Sequence, residues 1–224
     1  VASDVDICNL ALGHLGDAAT VASINPPSGD AQSSHCARFY PIARDALLEM
    51  NTWGFSTKRA TLALNSVNPA STWKFCYAAP SAVINYISIL TSDTTDDYSV
   101  GVQMANVGAY SAPIVSMGVY TPQDFVVETD DNGNDIILTN VEFAVLRYTA
   151  PVTDTTKFSP LFVMCLSHML ASMLAGPLIK GEAGIAVSEA QMKLAMNWDI
   201  MAEGSDANQR HVRPAAGAPW MVNR

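Results

Sequence analysis

The side chains able to do acid–base, nucleophilic or metal chemistry are scattered in this chain. Its four histidines, His14, His35, His168 and His211, show no metal-ligand spacing, and no HExxH occurs. The four cysteines, Cys8, Cys36, Cys76 and Cys165, lie far apart with no CxxC pair. That usage reads as buried free thiols in a reducing compartment rather than an extracellular disulfide framework. The acidic turn Asp130-Asp131-Asn132-Gly133-Asn134-Asp135 has the composition of a calcium loop. Its glycine comes fourth rather than sixth, however, and Val141 stands at the twelfth position, where a bidentate glutamate belongs. A hairpin turn is the better reading. No Walker A, GxGxxG or GxSxG motif is present, and Gly13 and Gly16 mark a helix end rather than a phosphate cradle. A Ser/His/Asp site assembled from distant residues stays open on these grounds. No catalytic residue, metal site or cofactor site is assigned.

Composition narrows the function classes. The 224 residues are 49% hydrophobic, enough for a core, and only 15% charged. So sparsely charged a surface suggests coverage by partners. A formal net charge of −9 argues against general nucleic-acid binding, which needs a basic face. Asp4 and Asp6 stand where a signal peptide would carry basic charge. The apolar run Leu161 to Leu178 is broken by Ser167, His168, Ser172, Gly176 and Pro177, so it reads as a doubly buried helix rather than a membrane span.

Helices must supply the frame. Ser3 to Leu15 reads as a short helix capped by Ser3 and ended by Gly16. Between Ser28 and Leu64 lies the longest amphipathic pattern of the first half. Cys36, Phe39, Ala43, Leu47 and Met50 form one stripe of a helix over about Asp30 to Thr52. Pro41 should kink it near Ala37 or make it restart. Trp53-Gly54-Phe55 closes it. In the last third, Ser159-Pro160 opens a helix running to about Ala175, with Gly176-Pro177 as its stop. A final helix spans about Gly184 to Glu203, with Val187, Ala190, Leu194, Trp198 and Met201 as its stripe.

The middle of the chain is β-rich. Ala60 to Leu64, Trp73 to Tyr77 and Phe143 to Tyr148 read as strands; Val83 to Leu90 fits a strand or a short helix. Gly101 to Tyr120 reads as weak strands with bulges. Phe125 to Glu128 and Ile136 to Leu138 flank Asn132-Gly133 as a hairpin, since both turn residues tolerate positive φ. The expected fold is therefore α+β. An antiparallel bundle of about four helices (residues 1–58 and 153–203) carries an inserted β-rich domain (59–152). An extended, locally basic C-terminal arm (204–224) holds Arg210, His211, Arg213 and Trp220 as docking residues. Truncation after Gly204 should leave folding intact. Phe39, Leu47, Trp53, Phe162 and Trp198 are the candidates for bundle or subunit packing.

One ordered set of residues carries a family resemblance. It opens with the helix Asp6-Ile-Cys-Asn-Leu-Ala-Leu-Gly-His-Leu-Gly-Asp17. Asp30-Ala31, Cys36, Tyr40, Ala43-Arg44-Asp45, Leu47-Leu48 and Trp53-Gly54-Phe55 follow, then Arg59 and Leu62-Ala63. The aromatic and proline segment Trp73 to Pro80, the Ser159-Pro160-Leu161 helix and a last helix complete it. Over residues 3–203 the chain resembles the tail adaptors of short-tailed bacteriophages, also called tail tubular protein A or head-to-tail joining proteins. The resemblance implies a non-enzymatic virion protein, assembled in the bacterial cytoplasm, that forms a dodecameric ring beneath the capsid portal. It implies the portal protein, the nozzle (tail tubular protein B) and tail fibres or spikes as partners, with DNA only passing through the lumen, no membrane and no cofactor. It also implies an arm that reaches the portal or a neighbouring subunit. Outside the family, the residues leave open a cell-wall-degrading tail enzyme or a glycan- or receptor-binding module.

Overall fold

The computed structural model describes residues 2–18, 20–92 and 123–209. Among them, four α-helices and two small antiparallel sheets make an α+β fold. The chain divides into two compact units, one built from Val1–Thr57 with Thr149–Gln209, the other containing Lys58–Tyr148. Arg210, His211, Arg213 and Trp220, and the strands expected over Gly101 to Tyr120, lie outside the described residues.

In the first unit, α1 (Asp4–His14) starts with a capping box. Ser3 Oγ accepts from the Asp6 N–H at 3.1 Å, and the Asp6 carboxylate accepts from the Ser3 N–H at 2.9 Å. That N–H, then the Ser3 hydroxyl, holds the Asp6 carboxyl below its usual range. Helix α2 (Ala31–Met50) is capped by Asp30, which accepts from the Ser33 N–H at 2.8 Å. The Ser28 hydroxyl, then that N–H, lowers the Asp30 carboxyl to about 2.

Of the two outcomes expected at Pro41, a kink near Ala37 or a restart, the restart does not occur: one helix runs unbroken through Pro41. Pro41 itself is exposed, while Tyr40, Ala43, Leu47 and Leu48 around it are buried. Burial of those side chains, about 1.5–3 kcal/mol for a large one, outweighs the roughly 3 kcal/mol that an interior proline costs. The expected stripe needs correction. The buried line is Ser33, Cys36, Tyr40, Ala43 and Leu47, with Tyr40 where Phe39 was expected. Phe39 is half-buried beside His35, with ring centroids 6.3 Å apart, and Met50 is exposed.

Ser159 caps α3 (Pro160–Ile179) by accepting from the Phe162 N–H, and Pro160 occupies the first turn. Twelve of its 20 residues are buried, so a helix long and apolar enough to cross a membrane is mostly covered by protein. Gly176-Pro177 does not stop it. A proline in the last turn costs one backbone donor, and the helix ends at Lys180, whose φ of +61° turns the chain. Helix α4 (Gly181–Ala207) begins at once, making a tight antiparallel hairpin. Across it Ser188 Oγ donates to the Ser172 carbonyl at 2.8 Å, and Cys165 Sγ to the Ala195 carbonyl at 3.2 Å. Burial pushes the Cys165 thiol up to about 12.

The hairpin needs a glycine at its tight end. A Cβ on Gly184 would sit 3.1 Å from the Ala175 carbonyl oxygen, a backbone atom that cannot swing away. Gly184→Val is therefore expected to destabilise the helical unit by about 1–3 kcal/mol through overpacking, read as a lowered thermal midpoint.

Apart from the end residues Thr57 and Thr149, the second unit contains β1 (Thr57–Thr61), β7 (Val145–Thr149) and β4 (Asn85–Leu90), which form one sheet in the order β1-β7-β4. The other sheet runs β2 (Ala63–Leu64), β3 (Phe75–Ala78), β6 (Asp135–Thr139) and β5 (Phe125–Thr129). Val83 to Leu90 thus resolves as a strand. Cys76, Ile136 and Leu138 are a buried cluster with Trp73 and Ala70 packed against it. The β5–β6 hairpin pairs Phe125 with Thr139 and Thr129 with Asp135, which leaves a five-residue turn, Asp130 to Asn134. Only Gly133 takes positive φ, at +83°; Asn132 does not.

Candidate functional site

Among the described residues, no group of three or more His, Cys, Asp or Glu side chains is placed to hold a metal ion. The acidic hairpin turn uses its own carboxylate internally. Asp130 Oδ1 accepts from the backbone N–H of Asn132 at 2.9 Å and of Asn134 at 2.8 Å, and these bonds, with Asn134 foremost, lower its carboxyl. That is an Asx-type turn, with the carboxylate committed to the backbone. All four cysteines are free and buried.

Three of the expected packing residues meet. Trp53, almost fully buried, donates from Nε1 to the Leu47 carbonyl at 2.9 Å and packs edge-on against Phe162 with centroids 5.0 Å apart. Leu47 belongs to the last turn of α2, whose carbonyls lack helical partners, so the indole satisfies one of them. Phe55 and Phe158 join this knot; Phe55 meets Phe162 at 5.1 Å, and Phe158 meets Phe162 at 4.7 Å. Sequence reading missed Phe158 because it precedes the helix and belongs to no stripe. Phe39 and Trp198 are both half-buried and lie outside the knot.

Polar ties hold α4 to the rest of its unit. The Asp199 carboxylate is buried and accepts from Asn51 Nδ2 with both oxygens, at 2.8 and 2.9 Å. Asp206 accepts from the Gly54 N–H, at 3.1 and 3.0 Å. The final helix therefore continues through Gly204 to Ala207, and truncation after Gly204 would remove a residue that holds Gly54. The arm as expected from sequence starts too early.

A third tie is built on two histidines. His14 of α1 and His168 of α3 stack with centroids 3.9 Å apart and planes 10° from parallel. Gln191 of α4 donates from Nε2 to the His14 carbonyl at 3.1 Å, which turns its Oε1 toward His168 Nδ1 at 2.7 Å. That ring nitrogen must carry the proton. Ser167 Oγ donates to the Met164 carbonyl, leaving it free to accept from His14 Nε2 at 3.1 Å. Burial, then the neighbouring His168, lowers the His14 pKa from its ordinary 6.5. The folded protein therefore resists protonation there more than the unfolded chain does. Its stabilising effect is complete above about pH 6.5 and is lost as pH falls through the lower folded value. Thermal midpoints measured from about pH 7.5 to about pH 5 should fall more steeply in the wild type than in His14→Gln, which keeps a donor for Ser167 but does not titrate in that range.

The outer faces of α4 are the least expected feature. Its buried residues are Gly184, Ala195, Asp199 and Ala202, so the helix packs through small and polar side chains. The stripe expected from sequence is not the buried one: Leu194 is 42% and Met201 49% exposed. On another side Ile185 is 62%, Met196 42% and Ile200 68% exposed. Small residues recurring at 184, 188, 195 and 202 were the available signal. An apolar-stripe search overlooks them because their line carries little hydrophobic area.

No family model matches this chain, and no curated protein matches it.

Proposed function

We propose that this chain is a structural virion protein without catalytic activity. In this reading it is a tail adaptor forming a ring, a dodecamer by its resemblance, that joins the capsid portal to the tail nozzle of a short-tailed bacteriophage and lines the DNA exit channel. The observation that carries the reading is the ordered residue set from Asp6 to Ala63, with its closing helices. Many of those residues have structural work in the helical unit: Cys8, Cys36, Tyr40, Ala43, Leu47, Leu48 and Trp53 are all buried. Two features support an assembled role. The last helix leaves large apolar side chains in solvent, a surface that favours association. The net charge of −9 suits a channel through which DNA slides without being held by phosphate contacts.

Portal and nozzle are the partners in this reading, with tail fibres or spikes as further attachments and Arg210, His211, Arg213 and Trp220 as the arm that docks on the portal. Electron microscopy of the purified protein, alone and mixed with the portal of its phage, should show rings or ring-capped portals. A protein that stays monomeric with portal present and is absent from purified virions would overturn the reading.

A further inference from the structure

Among the described residues, nothing covers two separate apolar flanks of helix α4. Successive residues turn by about 100° around an α-helix, which puts the two flanks roughly 160° apart, each roughly 100° from the buried line. The first flank is Ile185, Met196 and Ile200, exposed at 62%, 42% and 68%, with half-buried Met192 between them. The second is Ala190, Leu194 and Met201, with half-buried Val187 at its edge. Both belong to one rigid element of one unit.

Charge tells the flanks apart. Exposed Glu182, Glu189 and Glu203 line the first, with Lys193 at its border. The second has no charged residue along its line. Two copies meeting first flank to first flank would set six glutamates against each other, and like charges across an interface are costly. First flank against second flank brings the glutamates beside an uncharged stripe instead. Such a contact is heterologous: each copy uses one flank on its left and the other on its right, so the pairing propagates and closes only as a ring.

We propose that the two flanks of α4 are the opposite halves of one interface between copies of this chain, joined head to tail. The inference assigns surfaces to the ring of the preceding reading and rests on that reading for closure. The occupant of each flank is the other flank of a second copy.

Surface cysteines test this directly, because the four native thiols are buried. Ile200→Cys labels the first flank and Leu194→Cys the second. Each full-length variant would be treated with a short bismaleimide, alone and as an equimolar mixture, after circular dichroism confirms folding. Cross-linked dimers should form in the mixture and not in either variant alone. Ile185→Cys with Met201→Cys is the second pair should either first variant fail to fold. Self-cross-linking of Ile200→Cys alone would mean a two-fold contact and overturn the proposal. So would protection of that thiol in the monomer that disappears on truncation after Gln209, since the chain's own tail would then cover the flank. Rings in electron micrographs without any cross-link would reject this interface and leave the ring reading standing. Monomers throughout, with portal present, would reject both.

Discussion

Trp53→Ala is expected to lower the stability of the helical unit by about 3–5 kcal/mol, the range for removing a large buried aromatic. Two losses combine. The indole leaves a cavity against Phe162 and Phe55. The Leu47 carbonyl loses the donor that satisfied it at the end of α2. A shift of at least about 6 °C in the thermal midpoint follows from that free-energy loss. Trp53→Phe separates the contributions. It keeps a ring in the knot but removes the indole N–H, and should cost distinctly less than the alanine variant. Equal midpoints for Trp53→Ala and the wild type would show that the knot does not hold the unit together.

Asn51→Asp should have an effect of similar size for an electrostatic reason. Asn51 Nδ2 reaches both oxygens of Asp199 within 2.9 Å, and Asp199 is only 8% exposed. An aspartate there would replace two donated hydrogen bonds by two carboxylates in contact, away from most solvent. Removing one partner of a buried charge costs about 3–5 kcal/mol, and a like charge in its place should cost at least that much. Repulsion of this kind is relieved when either carboxyl takes up a proton. The variant should therefore be far less stable than the wild type near neutral pH and recover part of the difference in mild acid. Asn51→Ala, which removes the donor without adding charge, should fall between the two. Chemical denaturation of all three proteins at two pH values checks the order. A difference that does not change with pH would refute the electrostatic account.

Local chemistry was the most legible part of the fold. Ser3, Asp30 and Ser159 cap their helices because a short side-chain oxygen reaches the first-turn N–H groups from a fixed offset. Trp53 and Phe162 were readable as packing residues because each is large and adjoins a helix end or stripe. The misreadings share one physical cause. Gly176 and Pro177 are breakers in isolation, yet both lie inside a helix whose other residues are held by tertiary burial. Local propensity acts over a turn; the packing of α1, α2, α3 and α4 acts over the whole length of each rod.

The apolar stripes show the same limit more sharply. Residues alone determined that α2 and α4 are amphipathic helices, that a β-rich segment separates two pairs of helices, and that no familiar catalytic or metal motif is present. The tertiary structure decided which side of each helix faces inward. In α2 the inward line moved from Phe39 to Tyr40. In α4 it moved onto Gly184, Ala195, Asp199 and Ala202, leaving Ile185, Leu194, Met196, Ile200 and Met201 outside. Hydrophobicity marks the sides that favour leaving water, but it does not say what covers them. Close approach to α3 selects small side chains, as the 3.1 Å limit at Gly184 shows, so the bulky apolar ones remain for a different surface.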